Sequence, residues 1–217
     1  MKKAIFLAVA SICILTTTYA QTSNDQQLNS AVARLNSATN IKNYQQLATE
    51  FANIAEAEKT NWLSWYYAAL CNAKIGWLYQ DDGDLIEPFV KKADAQIKKA
   101  LSLLDSTKQK KELSEVYCVL SMVNRANVFI NPMTYGRQYG PAASQYIKLA
   151  RQVNPENPRA VYLEGWEKYS TPKMWGGDKS KAKELLEHAA KQLNAQQVSG
   201  AYPQWGKKEV EEALRKL

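Results

Sequence analysis

Side chains able to do chemistry are sparse in this chain. It holds one histidine, His188, and three cysteines, Cys13, Cys71 and Cys118. A catalytic nucleophile needs a base within hydrogen-bond reach, and no serine or cysteine pattern surrounds His188, which sits beside Ala189 in a helical stretch. A structural zinc site takes four nitrogen or sulfur ligands, more than His188, Cys71 and Cys118 can supply. The neighbouring carboxylates Glu56 and Glu58, and Glu211 and Glu212, have the spacing of solvated helix faces. Asp81, Asp82 and Asp84 lack the distant bidentate glutamate of a calcium loop and suit a turn. The sequence therefore predicts no catalytic residues, no cofactor and no metal, hence a protein that is not an enzyme. A cell-wall-active enzyme, with two carboxylates meeting across a cleft, is the reading left over.

Rings and cations are what the chain offers instead. The segment Asn61–Gln80, NWLSWYYAALCNAKIGWLYQ, carries six rings. Trp62, Trp65 and Tyr66 read first as packing between helices, because buried aromatic area is the usual return on such density. Three further stretches share a motif: Pro132-Met-Thr-Tyr135-Gly136, Pro172-Lys-Met-Trp175-Gly176 and the shorter Tyr202-Pro-Gln-Trp205-Gly206. Proline stiffens each, the ring gives anchoring area, and glycine permits a turn with positive φ. The first two read as inter-helix loops, and the three stretches are either pinned down by their rings or present Tyr135, Trp175 and Trp205 as a stacking surface for a sugar or peptide.

The elements that must position these residues are helices. In Ala143–Ala150, Ala143, Ile147 and Ala150 fall at i, i+4 and i+7, one face of a helix with two small residues that admit a close neighbour. Sliding that template along the chain finds Ala93, Ile97 and Ala100, then Ala182, Leu186 and Ala189, and, with a smaller middle residue, Ala48, Ala52 and Ala55. Three of the four are preceded by an aromatic-led helix, at Trp65-Tyr66-Tyr67, Val116-Tyr117-Cys118 and Val161-Tyr162-Leu163, which aligns Ala69, Ser121 and Gly165 as one small position. Pro155 stops a helix, and Asn157 with Pro158 starts the next as N-cap and first residue. Further helices are expected over 27–37, 41–58, 89–104 and 207–217, with Asp105 or Ser106 capping the helix whose later part, VYCVLSMV, is apolar all round and so central.

This alternation of an aromatic-led helix with an A-x3-I/L-x2-A helix, closed once by N-P-E-N-P, resembles a tetratricopeptide repeat (TPR) array from about Asn40 to Ala190. Trp65 and Gly165 fit the family pattern, whereas Glu164 and Lys168 stand where it prefers apolar or aromatic residues. The spacings of 52 and 44 residues between the small positions exceed the roughly 34 of that repeat. The resemblance implies an all-α, right-handed superhelical array of antiparallel helical hairpins, one domain over 27–217. It also implies a concave groove lined by Tyr66, Leu70 and Lys74, by Cys118, Met122 and Arg125, and by Arg159, Tyr162, Trp166 and Tyr169. Such rings beside guanidinium groups suit a peptide or protein partner with apolar side chains and a carboxylate. The double change Arg125→Ala with Arg159→Ala is then expected to weaken capture and leave helix content unchanged. A glycan or other small ligand held by the loop rings is the alternative. Cys71 and Cys118 lie on equivalent helices and could be bridged or free.

Lys2 and Lys3 followed by AIFLAVASICIL, with Thr18-Tyr19-Ala20 after it, read as a signal peptide over 1–20, too short to span a membrane and cleaved near Ala20. Cys13 follows Ile12, where a lipoprotein signal needs a small residue. Residues 21–26 are expected as a flexible tail, and the mature protein as periplasmic or secreted. The formal charge of +7 includes Lys2 and Lys3. No dense basic stripe with interleaved rings suggests nucleic acid, so a charge-driven partner is more naturally acidic.

Overall fold

The computed structural model describes residues 24–217, and every regular element among them is helical. The expected signal peptide lies outside the described residues. Helix α1 covers 24–37, so 24–26, expected in a tail, are helical. There follow α2 (Ile41–Ala57), α3 (Trp62–Leu78), α4 (Glu87–Ser102), α5 (Lys110–Ile130), α6 (Pro132–Val153), α7 (Pro158–Ser170), α8 (Lys179–Ala195) and α9 (Lys207–Arg215). Short 3-10 turns occupy Gly83–Leu85 and Lys173–Trp175.

Helices α3 and α4, α5 and α6, and α7 and α8 pack as pairs, and α5 also touches α3, α4 and α7. The small-large-small faces make these pairings. Ala93, Ile97 and Ala100 on α4, Ala143, Ile147 and Ala150 on α6, and Ala182, Leu186 and Ala189 on α8 are all buried. In α2 the weaker copy buries Ala48 and Ala55 while Ala52 stays partly exposed. The middle of α5 is buried on every side from Leu113 to Val116 and from Cys118 to Val123, as a helix between neighbours must be.

Gly165 shows why its position must be small. A Cβ there would stand 3.0 Å from Leu186 Cγ, 3.1 Å from Leu185 Cβ and 3.3 Å from the Ala182 carbonyl, all on α8. Alanine gains up to about 1 kcal/mol in helix propensity, but overpacking a filled interface costs about 1–3 kcal/mol. Gly165→Ala is expected to lower stability by about 1 kcal/mol in urea denaturation. A stabilised variant would mean that α7 and α8 separate freely.

Caps explain the boundaries. Asn40, Asn61, Asn131, Asn157 and Asp178 each accept a hydrogen bond from a first-turn N–H of the helix that follows. Two expectations need correcting. Asp105 and Ser106 do not cap α5, which begins at Lys110 after Gln109; Asp105 instead accepts from Thr107 N at 2.8 Å, closing a separate turn. Pro132–Gly136 is not an inter-helix loop. Asn131 accepts from Thr134 N at 3.0 Å, Pro132 takes the first turn, and α6 runs on through Pro141. Proline after an N-cap residue starts a helix as readily as it stiffens a loop, and here the capping geometry wins. The second copy of the motif does form a turn, closed by Gly176 at φ 92°.

Candidate ligand-binding cleft

The chain's own C-terminal segment crosses the faces of α3, α5 and α7. Tyr67 donates its hydroxyl to the Ala201 carbonyl at 2.8 Å, and Trp205 Nε1 donates to the Tyr66 hydroxyl at 2.7 Å. Beneath them lies a buried ion pair. Arg159 donates from Nε and Nη2 to the two oxygens of Glu115 at 2.7 and 2.9 Å, with the side chains 1% and 2% exposed. Arg159 Nη1 also donates to Gln196 Oε1 and to the Trp205 carbonyl, each at 3.2 Å. Burial alone would lower the Arg159 pKa, but the adjacent Glu115 overrides it and raises it above the usual value. Burial, reinforced by Glu115, holds Tyr66 well above the usual phenol range, so its hydroxyl keeps the proton it donates to Glu115 at 3.3 Å.

What remains open is a cleft of about 740 Å³, within the roughly 300–1,000 Å³ of small-molecule sites. Its floor is aromatic. Trp77 of α3 and Trp166 of α7 meet at 4.6 Å between ring centroids, with Phe129 edge-on to Trp77 at 5.8 Å. Trp77 is fixed by donating Nε1 to the Met122 carbonyl at 2.9 Å, and Arg125 lies 5.6 Å from the Trp166 ring. Tyr162 and Trp205 form a second, edge-to-face pair at 6.4 Å. The corner between α1 and α2 adds Leu35, Ala38 and Tyr44, and α9 adds Lys207, Lys208 and Lys216 at the rim. With Lys74 these make four lysines against the two carboxylates Glu209 and Glu212, so the cleft carries a positive balance.

Helix α9 is held across this opening at three points, one of them at its end, where the Tyr169 hydroxyl donates to the Lys216 carbonyl at 3.1 Å. Lys74, buried on α3, pairs with Glu209, and Lys208 donates to the Asn36 carbonyl at 2.7 Å. Glu209 also accepts from Gly206 N at 3.1 Å, where φ of 116° suits a glycine cap. Burial would raise the Glu209 pKa, yet Lys74 and the backbone N–H bonds outweigh it and hold it below 4.5. Lys74 is shifted the other way, above 10.5, because Glu209 overcomes its desolvation. A depressed carboxyl contributes stability that is complete above its unfolded value near 4.5 and is lost as pH falls through the lower folded value. The raised lysine contributes below 10.5 and loses its share as pH rises through its folded value. Between those limits the anchoring of α9 is flat. Glu209→Gln is expected to remove the acid limb from the stability profile, and an unchanged acid limb would assign it to another carboxylate.

The residues expected in a concave groove divide into two sets. Lys74, Met122, Tyr162, Trp166 and Tyr169 line the cleft. Tyr66, Leu70, Cys118, Arg125 and Arg159 do not, and all of these but Arg125 are buried in the core. Arg159, expected to face a partner, holds Glu115 instead, and Arg125 pairs with Glu167 at 2.6 Å. A buried guanidinium needs a carboxylate inside the protein, and Glu115, one turn before Val119 on α5, supplies it. Cys71 and Cys118 are both free and buried, so the bridge left open by the sequence is not formed. Of the rings expected on a loop surface, Tyr135 is half-buried in α6, Trp205 is buried against Tyr66, and Trp175 alone stands out, 73% exposed. His188 is exposed on α8 and outside the cleft lining. Sequence reading missed Trp77 as a wall of the cleft, the α1–α2 corner and the α9 lysines. A helical period carries no sign that a distant terminal helix returns to the first.

A cleft with an aromatic floor and a cationic rim, set among the helices of the described residues, is what fold and site define. No protein-family model and no curated protein matches the chain. A solved structure does: the HusA haemophore from Porphyromonas gingivalis is 30% identical, with a TM-score of 0.75 over 87% of this chain and 90% of that one. Likeness of that extent over both chains places the protein in the same structural family as HusA.

Proposed function

We propose that the protein is an exported, non-catalytic carrier of a flat, largely apolar, anionic small molecule of the haem class, taken into the cleft between α3, α7 and α9. The observation that carries the reading is the Trp77–Trp166 floor beneath a lysine rim, and the likeness to a haemophore supports it. A ring system of that kind buries its faces against Trp77 and Trp166, while carboxylates at its edge meet Lys207, Lys208 and Lys216 at the rim. Aromatic stacking supplies buried area, and a charge-assisted contact to a carboxylate fixes orientation. Export through residues 1–20 and a right-handed, TPR-like winding of the hairpins belong to the same reading.

A peptide in the concave groove is the weaker reading, because residues 196–205 already occupy Tyr66, Tyr67 and Arg159. Titration with haemin tests the proposal. A saturable change in the haem absorption bands, with quenching of tryptophan fluorescence at one ligand per chain, is the expected result. Linear, unsaturated partitioning, or the same change with the chain unfolded in urea, would overturn it.

A further inference from the structure

Large apolar side chains that stand exposed are not scattered over this protein. Among the described residues they are Leu78, Leu85, Met133, Met174, Trp175 and Leu217. All but the last lie where α3 turns into α4, α5 into α6 and α7 into α8. The α3–α4 and α5–α6 ends are neighbours, since Gly83 abuts the backbone of Phe129 and Ile130. The α7–α8 turn alone exposes two adjacent large apolar side chains, Met174 at 82% and Trp175 at 73%.

That turn is stiff and its collar is cationic. Pro172 opens it, Gly176 closes it in the left-handed region, Gly177 N donates to the Pro172 carbonyl at 3.1 Å, and Asp178 N donates to the Lys168 carbonyl at 2.9 Å. Lys168, Lys173 and Lys179 surround it, and none of the three is paired with a carboxylate among the described residues. Lys168 donates to the Gly176 carbonyl at 3.0 Å, and Lys179 lies 5.8 Å from the Tyr169 ring. Asp178, between Gly177 and Lys179, is the N-cap of α8. A preordered loop loses little freedom on docking. Tryptophan settles at the headgroup level of a bilayer, and lysines beside it are drawn to anionic lipid.

We infer that Met174 and Trp175, within their lysine collar, seat the protein on an anionic lipid surface. Lys168, Lys173 and Lys179 outnumber Asp178, whose carboxylate is turned to the first turn of α8 as its cap, and the apolar pair protrudes as a wedge instead of forming a groove for another chain. Tyr169 and Ser170, at the root of the turn, line the cleft, so seating brings the cleft mouth to a surface in which an apolar ligand dissolves. The inference stands apart from the haem reading, because lipid binding is measured without ligand and ligand binding without lipid.

The test is co-sedimentation of the protein with vesicles of phosphatidylcholine alone and of phosphatidylcholine mixed with phosphatidylglycerol. Protein and variants share one N-terminus, so any contribution of residues 1–23 is common to all. Binding is expected only to the mixed vesicles, weakened by salt, and reduced roughly tenfold or more by Met174→Ser with Trp175→Ala, and by Lys173→Gln with Lys179→Gln. Both pairs are exposed, so unchanged helix content is expected, while Trp175→Phe should retain binding and identify by difference a Trp175 emission that shifts to the blue on the vesicle. Equal binding to neutral vesicles, full binding by the Met174/Trp175 variant, or no vesicle binding at all would overturn the inference, the last leaving the turn to a protein partner.

Discussion

Replacing Arg159 with alanine is expected to destabilise the protein by about 3–5 kcal/mol. The figure follows from what would be left behind. Glu115 is 2% exposed, and after the substitution its carboxylate would keep only the Tyr66 hydroxyl, at 3.3 Å, as a donor. A buried charge without its partner costs far more than the pair contributes. The two bonds from Arg159 Nη1 to Gln196 and Trp205 would be lost as well, so the C-terminal segment should loosen along with the core. Urea denaturation would measure the loss, and added exchange of the Trp205 indole N–H would locate it. The double replacement Glu115→Gln with Arg159→Met should recover much of the difference, since removing both charges avoids the unpaired one. A single-variant loss under about 1 kcal/mol would show that water reaches Glu115. The sequence-level expectation that Arg125→Ala with Arg159→Ala spares the fold gives way here, because it assumed guanidinium groups facing a groove.

The second large effect concerns ligand. Trp166→Ala should weaken haemin binding by about 10–100-fold, corresponding to the roughly 1.5–3 kcal/mol of burying a large apolar side chain. Trp166 is chosen over Trp77 because Trp77 holds the Met122 carbonyl, and its loss would disturb the junction of α3 and α5. Trp166→Phe should keep part of the affinity, and Trp175→Ala, outside the cleft, should keep all of it in solution. Wild-type affinity in Trp166→Ala would move the ligand away from the Trp77–Trp166 floor. Removing the ring also frees Arg125, now 5.6 Å from it and paired with Glu167. The affinity should therefore be read beside a denaturation curve for the same variant.

Helices were legible because their signals are local. The i, i+4, i+7 pattern of Ala93, Ile97 and Ala100 marks a buried face whatever lies against it, and Asn157 before Pro158 marks a helix start through the geometry of its own first turn. Signals with two local meanings misled, as Pro132 did by opening α6 where a loop was expected. Lys74, Met122, Tyr162, Trp166 and Tyr169 were named through the resemblance to a TPR array, whose groove positions fall on the aromatic-led helices, and they line the cleft. Period does not say what a helix face meets. Only the tertiary structure decided that residues 196–205 return over α3, α5 and α7, that Arg159 turns inward to Glu115, and that α9 closes against α1 through Lys208 and Asn36. These contacts join residues up to 172 positions apart, and a pairing over that distance is selected by competition among all the faces that could cover the same aromatic surface. The sequence by itself determined most of the helices and their apolar faces; which face became core and which remained as a cleft depended on where the last helix came to rest.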